Sequence, residues 1–173
     1  MMSGSLDQDL SLGILIYSDR GISETVELAK LSESLGCNYF WYTDVRFARE
    51  CYVVLGSIAS ATKNILLAPG VTDPYSRHPA LTAAAIATLD EISNGRAVLG
   101  LGVGAAGFKE LGITPALPIA AMREAITVFR GLLAGSEVTV EGKVISLEGG
   151  ALTFEPVRSE VPVFIATHGF QMS

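Results

Sequence analysis

Residues 65–104 read ILLAPGVTDPYSRHPALTAAAIATLDEISNGRAVLGLGVG: an apolar segment, a proline-framed loop, an alanine-rich segment, a turn and a second apolar segment. Pro69, Pro74 and Pro79 each fix φ near about −65° and bias the residue before them toward extended backbone. We therefore expect this loop to hold one shape. Because proline suits the first turn of a helix, the stretch predicts a strand, a helix that begins at Pro79 and another strand over residues 96–104.

The same alternation of strand and helix continues on both sides of this stretch. Apolar runs at residues 12–17, 39–43 and 161–167 predict three more strands. The first is expected to be buried on both faces, and the last is expected to be a buried strand. Helical spacing follows the first two runs and resumes after the glycine-rich segment. The period-two pattern over residues 138–147 predicts a hairpin inserted before the last strand, with its turn at Glu141-Gly142.

Repeated strand-then-helix units imply parallel pairing through right-handed crossovers. Four units and a fifth strand are about half of a (β/α)8 TIM barrel, which usually has roughly 250 residues. The expected fold is therefore α/β, a truncated barrel over residues 12–173 after an N-terminal tail over residues 1–11, and an open doubly wound sheet is the alternative. Half a barrel has apolar strand edges, so a homodimer or higher homo-oligomer is expected unless further units cover them.

Composition limits the classes of partner. The chain has 173 residues with 49% hydrophobic content, enough for one substantial core. Its 12 basic and 18 acidic residues give a net charge of −6, which argues against nucleic acid or an anionic membrane as the main partner. Cys37 and Cys51 lack metal-ligand spacing and are expected to be reduced, buried thiols. Residues 1–11 lack a signal-peptide pattern and no apolar run could span a bilayer, so a cytoplasmic location is expected.

Residues 102–107 read GVGAAG, a G-x-G-x-x-G pattern directly after a predicted strand. A dinucleotide site would require this pattern to open a helix and an acidic residue about twenty positions further on. Glu124 is the nearest acid, but it lies inside the helix predicted from Pro118. The remaining interpretations are a loop in which backbone approaches a ligand closely, or a glycine-rich turn without a ligand.

Three polar residues near predicted strand ends are candidates for chemistry. Asp44 follows an aromatic strand, where a carboxylate can hydrogen-bond or transfer a proton, or can simply fix the loop. His78 precedes Pro79 and is either catalytic or a helix cap. Arg77 either neutralises an anion or is a solvated loop residue. The sequence contains no Ser-His-Asp arrangement, cysteine-histidine pair or metal-ligand cluster, so no metal is expected.

The motifs WYTD, LLAPGVTDPYSRHPALTAAAIATLDEISNGRAVLGLGVG and VPVFIATHG together resemble the luciferase-like flavin and deazaflavin oxidoreductase superfamily. The resemblance covers residues 12–169 and is nearest to the coenzyme F420-dependent methylenetetrahydromethanopterin reductases. It implies a TIM barrel of the bacterial-luciferase type with an insertion after the fourth helix, where the hairpin falls. It also implies an enzyme that moves hydride between F420, an 8-hydroxy-5-deazaflavin, and a small or pterin-like substrate. An FMN-dependent luciferase-like monooxygenase and a non-catalytic flavin-binding remnant are the alternatives.

The resemblance also implies site residues. A non-prolyl cis peptide bond is implied at Gly70-Val71, where it bulges against one face of the coenzyme ring. Contacts with the ring are implied for Asp44, which is also the expected catalytic residue, and for Thr72, Gly102, Gly104, Ala105 and Gly107. A turn that binds phosphate through backbone N–H groups is implied at Thr167, His168 and Gly169.

The chain departs from the family pattern at two places. Val45 stands where several relatives carry a histidine directly after the aspartate, so alcohol oxidation with that histidine as base is not expected here. Residues 167–171 read THGFQ where many relatives read T-G-P-K, which predicts an altered phosphate turn.

Overall fold

A computed structural model of the chain describes residues 11–104 and 107–167. In chain order the elements are β1 (Gly13–Ile16), α1 (Ile22–Ser34), β2 (Tyr39–Tyr42), α2 (Cys51–Ala61), β3 (Leu66–Pro69), α3 (Pro79–Ser93), β4 (Leu99–Leu101), α4 (Pro118–Leu133), β5 (Val138–Glu141), β6 (Ser146–Gly150) and β7 (Val163–Ile165). No helix within these described ranges combines the length and the apolar character needed to cross a membrane.

Five of the strands form one parallel array. β1 pairs with β2 and β2 with β3, and isolated parallel bridges at Leu67–Ala97 and Thr72–Leu101 join β3 to β4. β4 in turn pairs with β7. The strands therefore lie side by side in chain order with only the hairpin left out, as in a TIM barrel, and the order does not reverse as in a doubly wound sheet. The prediction of about half a barrel is confirmed.

Helix α3 begins at Pro79, as predicted. His78 is its N-cap: Nδ1 accepts a hydrogen bond of 3.2 Å from the N–H of Ala80. The other ring nitrogen, Nε2, lies 3.0 Å from the carbonyl oxygen of Ser146 in β6. Of the two interpretations of His78, the structure therefore shows the helix cap, and the same side chain joins the start of α3 to the hairpin.

The inserted hairpin, β5 and β6, is antiparallel, but its turn lies later than predicted. The chain reverses over residues 142–145, where the N–H of Gly142 donates to the carbonyl of Ile145 at 3.0 Å. The Glu124 carboxylate of α4 accepts hydrogen bonds from the three N–H groups that follow Gly142, at 2.8 to 3.0 Å. The expectation of a turn at Glu141-Gly142 is wrong because a helix side chain stabilises a longer turn.

The core lies between the helices and one face of the sheet. Phe40 and Leu67 from the strands and Leu55, Ile58 and Ile86 from the helices are fully buried there. Cys51 also belongs to this core, as predicted, whereas Cys37 is only half-buried, so the expectation that both thiols are buried is wrong for Cys37. Both cysteines are free of disulfide bonds.

The opposite face of the sheet is the barrel interior, and much of it is exposed. Leu15 in β1 and Phe164 in β7 are 48% and 45% exposed. The rings of Tyr39, Trp41 and Phe164 contact one another here, with centroids 5.4 to 5.9 Å apart. The predictions that the first strand is buried on both faces and that the last is a buried strand are wrong, because the described elements cover one face only.

Arg96 joins three segments of the chain. It is 8% exposed, and its guanidinium donates to Ala59 O, Thr62 O, Thr62 Oγ1, Ile65 O and Ser93 O at 2.7 to 3.1 Å. These oxygens lie at the end of α2, at the start of β3 and at the end of α3. Five hydrogen bonds from one planar group fix the turns that precede β3 and β4.

Candidate active site

A cavity of about 230 Å³ opens at the carboxyl ends of β2, β3, β4 and β7. It brings together five residues that the sequence assigned to the site, Asp44, Gly70, Val71, Gly102 and Gly104. Its wall is completed by five residues that were not assigned, Thr43, Val45, Arg46, Val103 and Ala166. This edge of a parallel barrel is where the loops that carry catalytic groups meet.

The other predicted site residues lie elsewhere or outside the described ranges. Thr72 is 1% exposed and lies behind the cavity wall. Gly107 is half-buried and packs against Arg46. Thr167 is half-buried just beyond β7. Ala105, His168 and Gly169 lie outside the residues that the structure describes.

Backbone forms one wall of the cavity. The Gly70-Val71 peptide bond is cis, at the position that the family resemblance implies. Beyond it, the N–H of Thr72 donates to the carbonyl of Gly100 at 3.0 Å, which keeps the loop in register with β4. A Cβ atom on Gly102 would lie only 2.7 Å from Cγ2 of Val71. Glycine at position 102 therefore allows the Val71 side chain and the β4 loop to touch.

Arg46 closes another side of the cavity. Its guanidinium forms an ion pair with Asp73, both side chains being largely buried, and lies 3.9 Å from the centroid of the Phe108 ring. A Cβ atom would lie 2.9 Å from Arg46 Nη2 if built on Gly104 and 2.8 Å from Arg46 Cδ if built on Gly107. Arg46 thus joins the loops that follow β2, β3 and β4.

The glycine pattern of residues 102–107 serves this packing. Gly104 and Gly107 have φ of 69° and 80°, a region that side chains other than glycine adopt at a cost. Residues 107–112 form a bend and turns, residues 113–117 are irregular, and the next helix starts only at Pro118. The dinucleotide interpretation is therefore excluded, because no helix begins at the described residues of the pattern or between residues 107 and 117. The close approach of backbone to the cavity is the interpretation that the geometry supports.

Asp44 is the carboxylate of the cavity wall, and it is half-buried. Burial raises the pKa of its carboxyl above the usual value, and the charges of Glu50 and Asp73 act in the same direction. The Thr72 hydroxyl and the Arg77 guanidinium lower the pKa in part. A carboxyl with a raised pKa at a cavity mouth can hold and release a proton closer to neutral pH than an exposed aspartate can.

Arg77 acts on the site from behind. It forms an ion pair with Glu50, the N-cap of α2, and its guanidinium carbon lies 4.7 Å from the centroid of the Tyr52 ring. Arg77 is therefore held by its neighbours and is neither a solvated loop residue nor a lining residue of the cavity.

A larger cavity, of about 640 Å³, lies between the end of α4 and the segment before β7. Arg130, Arg158 and Glu160 contribute to its lining. It opens at the amino-terminal end of the strands, where conserved structure in barrels serves stability and not chemistry. The smaller cavity is therefore the candidate active site.

Arg46, which lines the cavity, and Tyr52, which packs under Arg77, are two charged or polar side chains near the site that sequence reasoning missed. The ion pair between Arg46 and Asp73 joins positions 27 residues apart, and no local sequence pattern predicts it. The available signal was position alone, since Arg46 lies two residues beyond Asp44 in a loop at the carboxyl edge of the sheet.

The chain is a parallel β/α half-barrel. Its cavity has a glycine wall and a carboxylate at the carboxyl edge of the strands, as is typical of enzymes built on the (β/α)8 barrel. A model of the luciferase-like monooxygenase family matches residues 6–173. The chain belongs to the luciferase-like monooxygenase family, which confirms the resemblance seen in the sequence.

The similar proteins point to one branch of this family. The chain is 40% identical over 164 residues to the 5,10-methylenetetrahydromethanopterin reductase of Archaeoglobus fulgidus, covering 94% of this chain and 49% of that protein. It is 37% identical over 164 residues to the protein of the same name from Methanolobus tindarius, covering 94% and 50%. The solved coenzyme F420-dependent tetrahydromethanopterin reductase of Methanopyrus kandleri superimposes with a TM-score of 0.89 at 32% identity, covering 94% of this chain and 52% of that one. The chain spans about half the length of the curated relatives it matches.

Proposed function

We propose that this chain is part of a coenzyme F420-dependent oxidoreductase that transfers hydride between the deazaflavin and a small or pterin-like substrate. The observation that carries the proposal is the cavity at the carboxyl edge, where Asp44 faces a wall built from Gly70, Val71 and Gly102. The names of the similar proteins support the same class, since two are methylenetetrahydromethanopterin reductases and the solved relative is F420-dependent.

The residues of the cavity suit a flat ring. Backbone and the Val71 side chain form a smooth apolar wall, and a Cβ atom on Gly102 would collide with Val71. Such a surface can lie against a planar ring system without side chains in the way. When bound, the reduced deazaflavin supplies a hydride.

The protein groups bind, orient and move a proton. Gly70, Val71 and Gly102 would position the ring, and Gly104 would border it. Arg46, fixed by Asp73 and Phe108, holds the three loops together. Asp44 would hold a proton at its carboxyl beside the reacting atoms.

The remaining predicted contacts belong to the same proposal. We place Gly107 and Ala105 in the loop that borders the coenzyme, and Thr167, His168 and Gly169 at its phosphate. Ala166, directly before Thr167 in the chain, lines the cavity, which supports a ligand that extends toward these residues. The net charge of −6 fits phosphate binding by backbone N–H groups better than binding by a broad basic surface.

The assembly that we propose is a homodimer or higher homo-oligomer in the cytoplasm, without nucleic-acid or membrane partners. The exposed apolar side chains of Leu15 and Phe164 support a covered sheet face in the complete protein.

The test is a titration of the protein expressed from its complete gene with F420 and with FMN, followed by turnover assays with reduced coenzyme. We expect F420 to bind and to transfer hydride to a pterin-like substrate without consumption of oxygen. Oxygen consumption with reduced FMN would instead identify an FMN-dependent luciferase-like monooxygenase. Binding of coenzyme without turnover of any pterin or small carbonyl substrate would identify a non-catalytic flavin-binding protein.

A further inference from the structure

Two hydroxyl groups behind the cavity wall lack hydrogen-bond partners within the described residues. These are Oγ1 of Thr72, a residue that is 1% exposed, and the phenolic oxygen of Tyr52. Buried hydroxyls in native proteins are nearly always paired, because an unpaired one loses its hydration without compensation. Two such groups beside a candidate active site therefore indicate hydrogen bonds that form in the working enzyme.

The Thr72 hydroxyl lies between the Asp44 carboxyl and the Tyr52 phenol, because it interacts with both of them. Thr72 follows the Gly70-Val71 wall of the cavity, and its hydroxyl lowers the pKa both of Asp44 and of Tyr52. The Asp44 charge in turn raises the pKa of Tyr52. The three groups thus interact with one another, and Asp44 is the member that lines the cavity.

The chemistry of the three groups fixes the direction of the hydrogen bonds. Burial raises the pKa of Tyr52 far above its ordinary value, so the phenol keeps its proton and donates. A threonine hydroxyl can accept one hydrogen bond and donate another, and an ionised carboxylate can only accept. The Tyr52 phenol would therefore donate to Oγ1 of Thr72, and the Thr72 hydroxyl would donate to the Asp44 carboxylate.

We propose that Tyr52 and Thr72 are positioning residues whose hydroxyls form a relay to Asp44, orienting its carboxyl and stabilising its ionised form at the active site. The inference rests on the proposed function, in which Asp44 is the group beside the reacting atoms.

The charged groups around Asp44 form ion pairs with one another. Glu50 is paired with Arg77, and Asp73 is paired with Arg46. The thiol of Cys51 is buried and its pKa is raised, so it carries no charge near neutral pH. The two hydroxyls are neutral donors, and their removal changes no formal charge near the carboxyl.

The experiment compares Thr72→Val, which removes the hydroxyl, with Thr72→Ser, which keeps it, and with Tyr52→Phe. Each is made in the protein expressed from its complete gene. The titration of Asp44 is followed by carbon NMR of labelled aspartate, with Asp44→Asn to assign the signal, and by the pH profile of kcat/KM with F420.

Loss of a hydrogen bond to a carboxylate raises its pKa, so we expect Thr72→Val to move the Asp44 titration to higher pH by about one unit. Tyr52→Phe should move it in the same direction by less, and Thr72→Ser should leave it in place. Whichever limb of the pH profile reports Asp44 should shift in parallel.

Two outcomes overturn the relay: an Asp44 titration that Thr72→Val and Tyr52→Phe leave unchanged, or one that Thr72→Ser moves as far as Thr72→Val does. Because NMR reads the carboxyl without coenzyme, an enzyme inactive with F420 would contradict the proposed function and still test the relay. Should Thr72→Val fail to fold, Tyr52→Phe and Thr72→Ser decide the question alone.

Discussion

Arg96 shows how a single side chain fixes two turns of the barrel. Its five hydrogen bonds use the full planar fork of the guanidinium, and the group is buried. A lysine at this position would have one nitrogen with three donors and could not reach the same oxygens together.

We therefore predict that Arg96→Lys lowers the free energy of unfolding by about 3 kcal/mol, because it leaves buried carbonyls unpaired. Urea denaturation measures this difference. Arg49→Lys is the control, since Arg49 is exposed and its hydrogen bonds to the carbonyls of Ser18 and Asp19 are 3.3 and 3.1 Å long. Equal effects of the two substitutions would show that the buried network contributes little.

Asp44→Asn separates the role of this residue in activity from its role in folding. The folded state raises the pKa of Asp44, so it binds the proton more tightly than the unfolded chain does, and the stability contribution of Asp44 falls as pH rises from about 4 through the raised pKa. The variant should be at least as stable as the parent at neutral pH, with the difference vanishing below about pH 4. Activity of the complete enzyme should fall about 10²-fold or more. Thermal melts over a pH series and steady-state rates test both statements, and a large loss of stability at neutral pH would assign Asp44 to the fold.

Gly102→Ala tests the wall of the cavity. The added methyl group would overlap Val71, so we predict a loss of about 1–3 kcal/mol and weaker F420 binding. Gly56→Ala adds the same methyl group inside α2, where its nearest neighbour is Cδ1 of Ile92 at 3.9 Å, and should raise stability by roughly 0.4–1 kcal/mol. Chemical denaturation and coenzyme titration compare the two variants, and a neutral Gly102→Ala would mean that the wall adapts.

At the residue scale, the sequence predicted the groups that a strand end or loop motif marks. Asp44 and the glycines of the cavity could be found in this way, because the carboxyl ends of parallel strands meet. Arg46 and Tyr52 could not, since Arg46 contacts Asp73 and Phe108, and Tyr52 contacts Arg77, across different units of the barrel.

At the element scale, proline and cap residues made the helices predictable. Helices α3 and α4 begin at Pro79 and Pro118 as the sequence indicated, because proline has no N–H to lose in the first turn. The hairpin turn was misplaced because Glu124, on another element, decides it. Local patterns predict an element when the causes of its ends are local.

The joint between α3 and β7 depends on a buried ion pair. Asp90 of α3 has 2% of its side chain exposed, and it accepts hydrogen bonds from Arg158 at 2.5 and 2.8 Å. It also accepts one from the N–H of Ala97 at 3.0 Å.

We predict that Arg158→Ala lowers the free energy of unfolding by about 3 kcal/mol, because it leaves the buried carboxylate of Asp90 without its cation. Adding Asp90→Asn to that variant should restore part of the loss, and denaturation of the single and double variants measures the coupling. Additive losses would contradict the coupling.

At the scale of the whole molecule, the half-barrel exposes the face that a barrel would enclose. The apolar runs of β1 and β7 have the composition of buried strands, which is why the sequence predicted that both strands are buried. Sequence pattern reports the burial for which a strand is suited, whereas actual burial depends on which neighbours are present. The half-barrel architecture and the exposed apolar edges that follow from it were therefore predictable, whereas the pattern of a single strand could not show that its second face is uncovered.

We predict that the 173-residue chain alone associates through this face and binds F420 weakly. Sedimentation should show dimers or larger species, and Phe164→Ser should reduce them, because it removes an exposed apolar ring from the barrel interior. Leu31→Ser on the outer surface of α1, where Leu31 is 53% exposed, is the matched control. A monodisperse monomer that binds F420 tightly would contradict this account of the architecture.

The order of the strands has a consequence for folding during synthesis on the ribosome. Each barrel strand pairs with the one that left the ribosome before it, except that β7 must follow the hairpin. A growing polypeptide of this kind finds its partner strand already made, so loop closure stays short and folding can keep pace with translation. The hairpin residues are synthesised before β7, so the pairing of β4 with its second neighbour is delayed until they have emerged.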